Sequence, residues 1–292
     1  MASVIEPLPF EALPPLPEAL PLAVLGHVEV VTLVQVPHLP RPGEVLHATA
    51  AVEEPAGGGA VAAVQLARLT GARVPFFTAL GRDAVGRRAA ERLEALGLEL
   101  HVAWRDAPTR RGVSFTEAGG ERSITVIGER LSPAAADPLP WGRLAVMAGV
   151  FVTAADAPAL RLAREGAWLG ATPRVRLPLL RQAAIQLDVL IGSALDPAER
   201  SVPGDLDPEP RLRIGTAGAR GGHCRPGGAF AALPPPEAVV DSYGAGDSFA
   251  AGVSLGLSAG WSLPESLSLG CHCGRAVLEG LGPYATQLRR PA

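Results

Sequence analysis

Neither lysine nor asparagine occurs in this sequence, and all 26 basic residues are arginine. Without lysine there is no Schiff-base chemistry, no complete Walker-A phosphate loop and no protein-kinase strand lysine. Without asparagine there is no N-glycosylation site and no catalytic amide of that type. Charged residues make up 19% of the chain and aromatics 4%, while 34 Gly and 29 Pro stand among the 292 residues. Abundant Arg, Ala, Gly and Pro mark a GC-rich coding bias, whereas thermal adaptation enriches Lys and Glu. A net charge of −3 offers no basic field for nucleic acid or anionic lipid.

Three Cys do not form a secreted disulfide framework. In Cys271-His272-Cys273 the two thiols diverge by about 200° on a helix, which favours buried small residues over a zinc site. The opening MASVIEPLPFEALPPLPEALP lacks a basic region and is broken by Pro, unlike a secretory signal. The longest uncharged stretch near the end, Ser248 to Pro264, is too short and polar to span a bilayer. We therefore expect a soluble, cytoplasmic chain with no membrane and no nucleic-acid partner.

Residues 1–20 read as a Pro-rich extension, surface-packed or mobile, ahead of one domain over 21–292. Leu22 to Val36 is β-branched and apolar, one or two strands. Gly57-Gly58-Gly59 opens a helical pattern that ends at Gly71, and ARVPFFTALG reads as a buried strand. Asp83 then begins a helix closed by Gly97. Residues 98–128 turn to short alternating strands, with a hairpin at Gly119-Gly120. Beyond them LAVMAGVFVTA, AWLGATP, LDVLIGS and RLRIGTAG alternate with helical stretches. This alternation predicts an α/β fold: a doubly wound, mostly parallel sheet with helices on both faces, plus a small β lid from about 30–50 and 98–128.

Two C-terminal segments can hold phosphate. Thr216-Ala217-Gly218-Ala219-Arg220-Gly221 follows a strand and is either a plain Gly-rich turn or a ligand site, since open α/β sheets bind at such ends and Gly lets backbone amides approach. Asp241-Ser242-Tyr243-Gly244-Ala245-Gly246-Asp247 leads into a helix, so free N–H groups and the positive dipole end converge there. A carboxylate in that first turn either caps the helix or accepts a hydroxyl proton while the amides stabilise a moving phosphoryl group.

DSYGAGDSFAAG resembles the D-T-x-G-A-G-D-x-F motif of the ribokinase-like (PfkB) carbohydrate kinases. The resemblance extends from Pro21 to the C-terminus through the Gly-Gly motif, Gly81-x-Asp83-x-x-Gly86 and the TAGARG turn. It implies ATP, Mg²⁺ and in some members a monovalent cation. It implies Asp247 as general base, with Gly244, Ala245 and Gly246 as anion hole. Thr216, Gly218, Gly221, Ser193 and Tyr284 would meet the nucleotide, and Gly57 and Gly58 the acceptor. Asp241 would order the loop and help a cation, and Asp196 would help place magnesium. The acceptor would be a sugar, sugar acid, sugar phosphate or nucleoside, and the lid would double as a homodimer contact.

Three positions depart from the pattern. Val61 stands where the family carries Asn, and Val31 where it carries Asp; Glu29, two residues earlier on the same strand face, is positioned to reach that pocket instead. The N-x-x-E signature becomes Ser193-Ala194-Leu195-Asp196. With Arg as the sole strong cation, Arg111 and Arg174 are either surface arginines or candidates for a substrate phosphate or carboxylate. The leading reading is an ATP-dependent sugar kinase, and its rival is a weak or inactive nucleotide- or sugar-binding protein on the same fold. A Rossmann dehydrogenase is disfavoured because no intact G-x-G-x-x-G opens the first βαβ unit.

Overall fold

The computed structural model describes residues 4–117 and 122–290, so the turn at Gly119-Gly120 lies outside the described residues. The strands are β1 (Leu22–Leu25), β2 (Glu29–Gln35), β3 (Ala50–Ala56), β4 (Val74–Gly81), β5 (Leu98–Arg105), β6 (Arg111–Thr116) and β7 (Arg122–Ile127). They continue with β8 (Gly149–Val152), β9 (Leu169–Ala171), β10 (Val189–Ser193), β11 (Leu212–Thr216), β12 (Gly222–Arg225) and β13 (Gly228–Phe230). The α-helices are α1 (Gly58–Thr70), α2 (Ala84–Ala95), α3 (Ala157–Ala163), α4 (Leu177–Ala183), α5 (Ala245–Ser258) and α6 (Leu263–Val277).

Nine strands form the main sheet in the order β13-β12-β11-β10-β9-β8-β1-β4-β5. All neighbours from β11 to β5 pair parallel, and the β12–β13 hairpin adds an antiparallel edge. Alternation along the parallel strands sends Val24 and Phe76 into a core with α1, α5 and α6, and Leu25 and Phe77 into a second core with α3 and α4. Helices on both faces follow from this two-sided burial. Each fully buried Phe contributes about 1.5–3 kcal/mol of transfer free energy.

The lid is a separate sheet in the order β3-β2-β6-β7. Only part of the expected lid segment 98–128 joins it. β5 pairs parallel with β4 across α2 and so extends the main sheet as a βαβ unit. The extension is anchored where described: Ile5 bridges Phe230, the Leu8 amide donates to Ser268 Oγ, and Phe10 packs edge-on against His272. Among the described residues no helix is long and apolar enough to cross a membrane.

Candidate active site

The carboxyl ends of β9, β10 and β11 and the amino end of α5 meet in one cleft of about 430 Å³, lined by Thr172, Arg174, Ser193, Thr216, Gly244 and Asp247 among others. That is where strand ends and a helix dipole focus on a ligand. Gly244 precedes α5 with φ +84°, a left-handed conformation that glycine adopts without strain. A Cβ there would also lie 2.9 Å from Pro283 Cβ. No side chain caps α5; the Ala245 amide donates to the Ser242 carbonyl at 3.3 Å, which leaves the Gly246 and Asp247 amides of the first turn for an anion, and a Cβ built on Gly246 would meet only open space.

Asp247 sits in that first turn against the amino end of α1, where a Cβ on Gly58 would come 2.8 Å from Asp247 Oδ1. Glycine at 58 therefore lets the helix backbone approach the carboxylate. Burial raises the Asp247 pKa to about 6; Arg174 and Arg122 oppose the rise, and Glu199 and Glu29 add to it. A carboxyl tuned toward neutrality is suited to accept a proton at physiological pH.

On the lid side, Glu29 Oε1 accepts from the Tyr243 hydroxyl at 3.0 Å and Oε2 lies 3.0 Å from Arg110 Nε. Arg110 is placed by the Gly81-x-Asp83-x-x-Gly86 motif. Asp83 caps α2 through the Gly86 amide at 2.7 Å and accepts from the Thr109 amide at 2.7 Å and hydroxyl at 2.8 Å. The motif thus clamps the chain one residue before Arg110. Beneath, the buried His27 is driven well below its usual pKa by desolvation and by Arg130, Arg110 and Arg174, so its imidazole is neutral.

On the opposite side a groove of about 320 Å³ runs from Thr216, Gly218 and Gly221 over Phe230, Leu233, Phe249 and Leu278. Its walls are apolar, its inner end is glycine backbone, and it shares Thr216, Gly218, Ser242 and Gly246 with the central cleft. A flat heterocycle followed by phosphates fits that gradient.

Several expected site residues are placed otherwise. Tyr284 is buried, donates its hydroxyl to the Pro55 carbonyl at 2.6 Å and lies under the Arg68 guanidinium; it belongs to the packing beneath the lid, not to that groove. Arg111 is exposed and lines none of these cavities, because alternation at the start of β6 gives the inward position to Arg110. Asp241 is fully buried, and its oxygens accept from the Tyr243 amide at 3.0 Å, the Gly282 amide at 3.0 Å and Thr116 Oγ1 at 3.3 Å. It orders the loop, and that geometry does not support the expected role as a cation ligand. Val61 and Val31 are fully buried.

Ser193 Oγ accepts from the Leu195 and Asp196 amides, while Asp196 accepts from the Ala198 amide and pairs with Arg174 at 3.0 Å. Arg174 lines the same cleft as Asp247. The glutamate that joins it was not legible in the four-residue signature: Glu199 accepts from the Ser193 amide at 2.8 Å and lies 2.5 Å from Arg174 Nε. Arg122, whose guanidinium lies 5.5 Å from the Tyr243 ring centroid, is a second unforeseen neighbour. Cys224, Cys271 and Cys273 are buried free thiols, and among the described residues no group of three or more His, Cys, Asp or Glu is arranged to hold a metal.

An α/β sheet wound on both sides, a four-stranded lid and a glycine loop opening a helix at the strand ends together define a ribokinase-like protein. Thermotoga maritima ribokinase superimposes with a TM-score of 0.71 at 19% identity, covering 93% of this chain and 97% of that one. Arabidopsis thaliana ribokinase, solved with ribose and ATP, gives 0.69 at 20% identity over 93% and 96%. Adenosine kinase from Sinorhizobium meliloti gives 0.71 at 20% identity over 91% and 96%. The pfkB family carbohydrate kinase model matches residues 21–194 and 209–289, and the chain belongs to that family. Fructoselysine 6-kinase of Escherichia coli is 41% identical over 51 residues, a segment spanning 18% of this chain and only 20% of that protein.

Proposed function

We propose that the chain transfers the γ-phosphate of ATP to a hydroxyl of a sugar or related small molecule. The observation that carries this reading is Asp247, a carboxylate of raised pKa in the first turn of an uncapped helix, where an apolar groove meets a polar cleft. Asp247 accepts the hydroxyl proton as the acceptor oxygen bonds to the γ-phosphorus and the bond to the β,γ-bridging oxygen breaks, releasing ADP. In this reading the amides at Gly244 and Gly246 stabilise the charge on the transferred group, while the Ala245 amide donates to the Ser242 carbonyl at 3.3 Å.

The groove residues fit an adenine nucleotide, with Thr216, Gly218 and Gly221 along its edge. Asp196 and Glu199 are both engaged by Arg174, so they fit magnesium only as an ion held mainly by phosphate oxygens and water. When bound, it neutralises charge on the nucleotide phosphates. Release of ADP from ATP and magnesium with sugars, sugar acids, sugar phosphates and nucleosides tests the assignment. Acceptor-dependent ADP supports transfer, and ATP binding with silence across the panel supports a binding protein.

The lid also joins two copies of the chain in this reading. β7 is an edge strand with Ile124, Val126 and Ile127 exposed, a surface that invites pairing. Sedimentation should give twice the chain mass, and Val126→Glu should shift it toward monomer. A monomeric wild-type protein at micromolar concentration contradicts the pairing.

A further inference from the structure

We infer that the acceptor carries an anionic group, a phosphate monoester or a carboxylate, held by an arginine cluster beside the transfer site; this rests on the phosphoryl-transfer reading. A cleft of about 810 Å³ is lined by Arg110, Arg130, Arg174, Arg176 and Arg200, and Glu129 is the only acidic residue in its wall. These arginines come from separate segments: before β6, after β7, after β9 and after β10. Their convergence is therefore made by the fold and does not reflect a basic run in the sequence.

Two of the five charges are answered by protein. Arg110 lies against Glu29, and Arg174 against Asp196 and Glu199. Arg130, Arg176 and Arg200 make no ion pair among the described residues. Arg130 is partly buried and donates to the Arg174 carbonyl at 2.6 Å, which fixes it beside its like-charged neighbours. Burial, followed by Arg110 and Arg174, presses its pKa down to about 10, so the guanidinium stays charged at neutral pH. Like charges gathered without partners destabilise the fold, and a bound anion offsets that cost.

The cleft is distinct from the nucleotide groove, whose lining includes none of these five side chains. Its connection to the chemistry is Arg174, which lines both this cleft and the one containing Asp247. An acceptor with its anion among Arg130, Arg174 and Arg176 has its hydroxyl end toward Asp247. Guanidinium forks suit carboxylate and phosphate oxygens in pairs, and the volume exceeds that of a free phosphate ion.

The test uses the full chain with two readouts. ADP release from ATP and magnesium is compared for a hexose, its 6-phosphate and its aldonic acid, in wild type, Arg130→Gln and Arg176→Gln. Binding of inorganic phosphate is titrated calorimetrically in the same proteins, with the nucleotide groove filled by a non-hydrolysable ATP analogue. We expect kcat/KM for one charged acceptor to exceed the neutral sugar about 100-fold, and each variant to lower that ratio and phosphate affinity roughly 10- to 100-fold, mainly through KM. The phosphate and acid arms distinguish which anion is read. Equal or better use of the neutral sugar, with variants that leave the ratio unmoved, overturns the anionic acceptor while the kinase reading stands. Phosphate binding that is lost in both variants, with no transfer to any acceptor, supports the anion site and overturns the kinase reading. Phosphate affinity unchanged in both variants overturns the site, and Arg130→Lys keeping part of the ratio separates charge from fold damage.

Discussion

Asp247→Asn is expected to lower kcat about 10³-fold while the KM for ATP stays within about twofold, because the amide keeps the side chain's shape and loses only its basicity. The proposed nucleotide groove is formed by other residues, from Thr216 to Leu278, and is not disturbed. The same substitution should stabilise the fold at neutral pH. The Asp247 carboxyl titrates near 6 when folded and near about 3.9 when unfolded, so between those values the native state binds more protons and stability falls as pH rises. Removing that titration should raise unfolding free energy by roughly 1–3 kcal/mol at pH 7 and by little at pH 4. Urea unfolding at the two pH values, beside steady-state kinetics, checks both halves. A variant that is inactive and also less stable at pH 7 would point to a structural carboxylate.

Asp241→Ala is expected to cost about 3–5 kcal/mol, among the largest effects of any single polar truncation in this chain. Its carboxylate binds together the lid through Thr116, the loop before α5 through Tyr243 and the segment after α6 through Gly282. Alanine leaves two amides and a hydroxyl without acceptors in a buried site. ATP affinity should fall with stability, since Gly244 follows the loop that Asp241 orders. Asp241→Asn, with one carbonyl oxygen left, should recover part of both. Chemical unfolding and nucleotide titration of the two variants measure this, and wild-type stability in Asp241→Ala would contradict the role assigned.

The proposed phosphate-binding half of the site is legible in the sequence because its residues are consecutive. Gly244 to Asp247 combine a left-handed glycine, a helix start and a carboxylate within four positions, and the alternation of apolar strands and helices announced the two-faced sheet. The acceptor half depends on residues that only the fold brings together. Arg110, Arg130, Arg174 and Arg176 come from three connections, and a one-residue alternation at β6 decides that Arg110 points inward and Arg111 outward. Glu199 is not legible there because its place in the cleft arises from a 3₁₀ turn, Pro197–Glu199, that brings it back to the Ser193 amide. Tyr284 suggested a ring for the nucleotide base; its hydroxyl instead found a partner in Pro55, 229 residues away. β5 looked like lid because it begins a run of short strands, but its helix α2 returns it to the sheet. The missing asparagines have a counterpart in the structure: valines fill positions 31 and 61 in the core, and arginines line the neighbouring cleft.

The kinase reading rests on Asp247 taking a proton from an acceptor hydroxyl during phosphoryl transfer. Its most direct test is acceptor-dependent ADP release measured from pH 4.5 to 8 with the best acceptor of the panel. The structure predicts kcat/KM climbing about tenfold per pH unit in the acid range and levelling above an apparent pKa of about 6, with the climb abolished in Asp247→Asn. A pH profile in the asparagine variant that matches wild type in height and shape would contradict it.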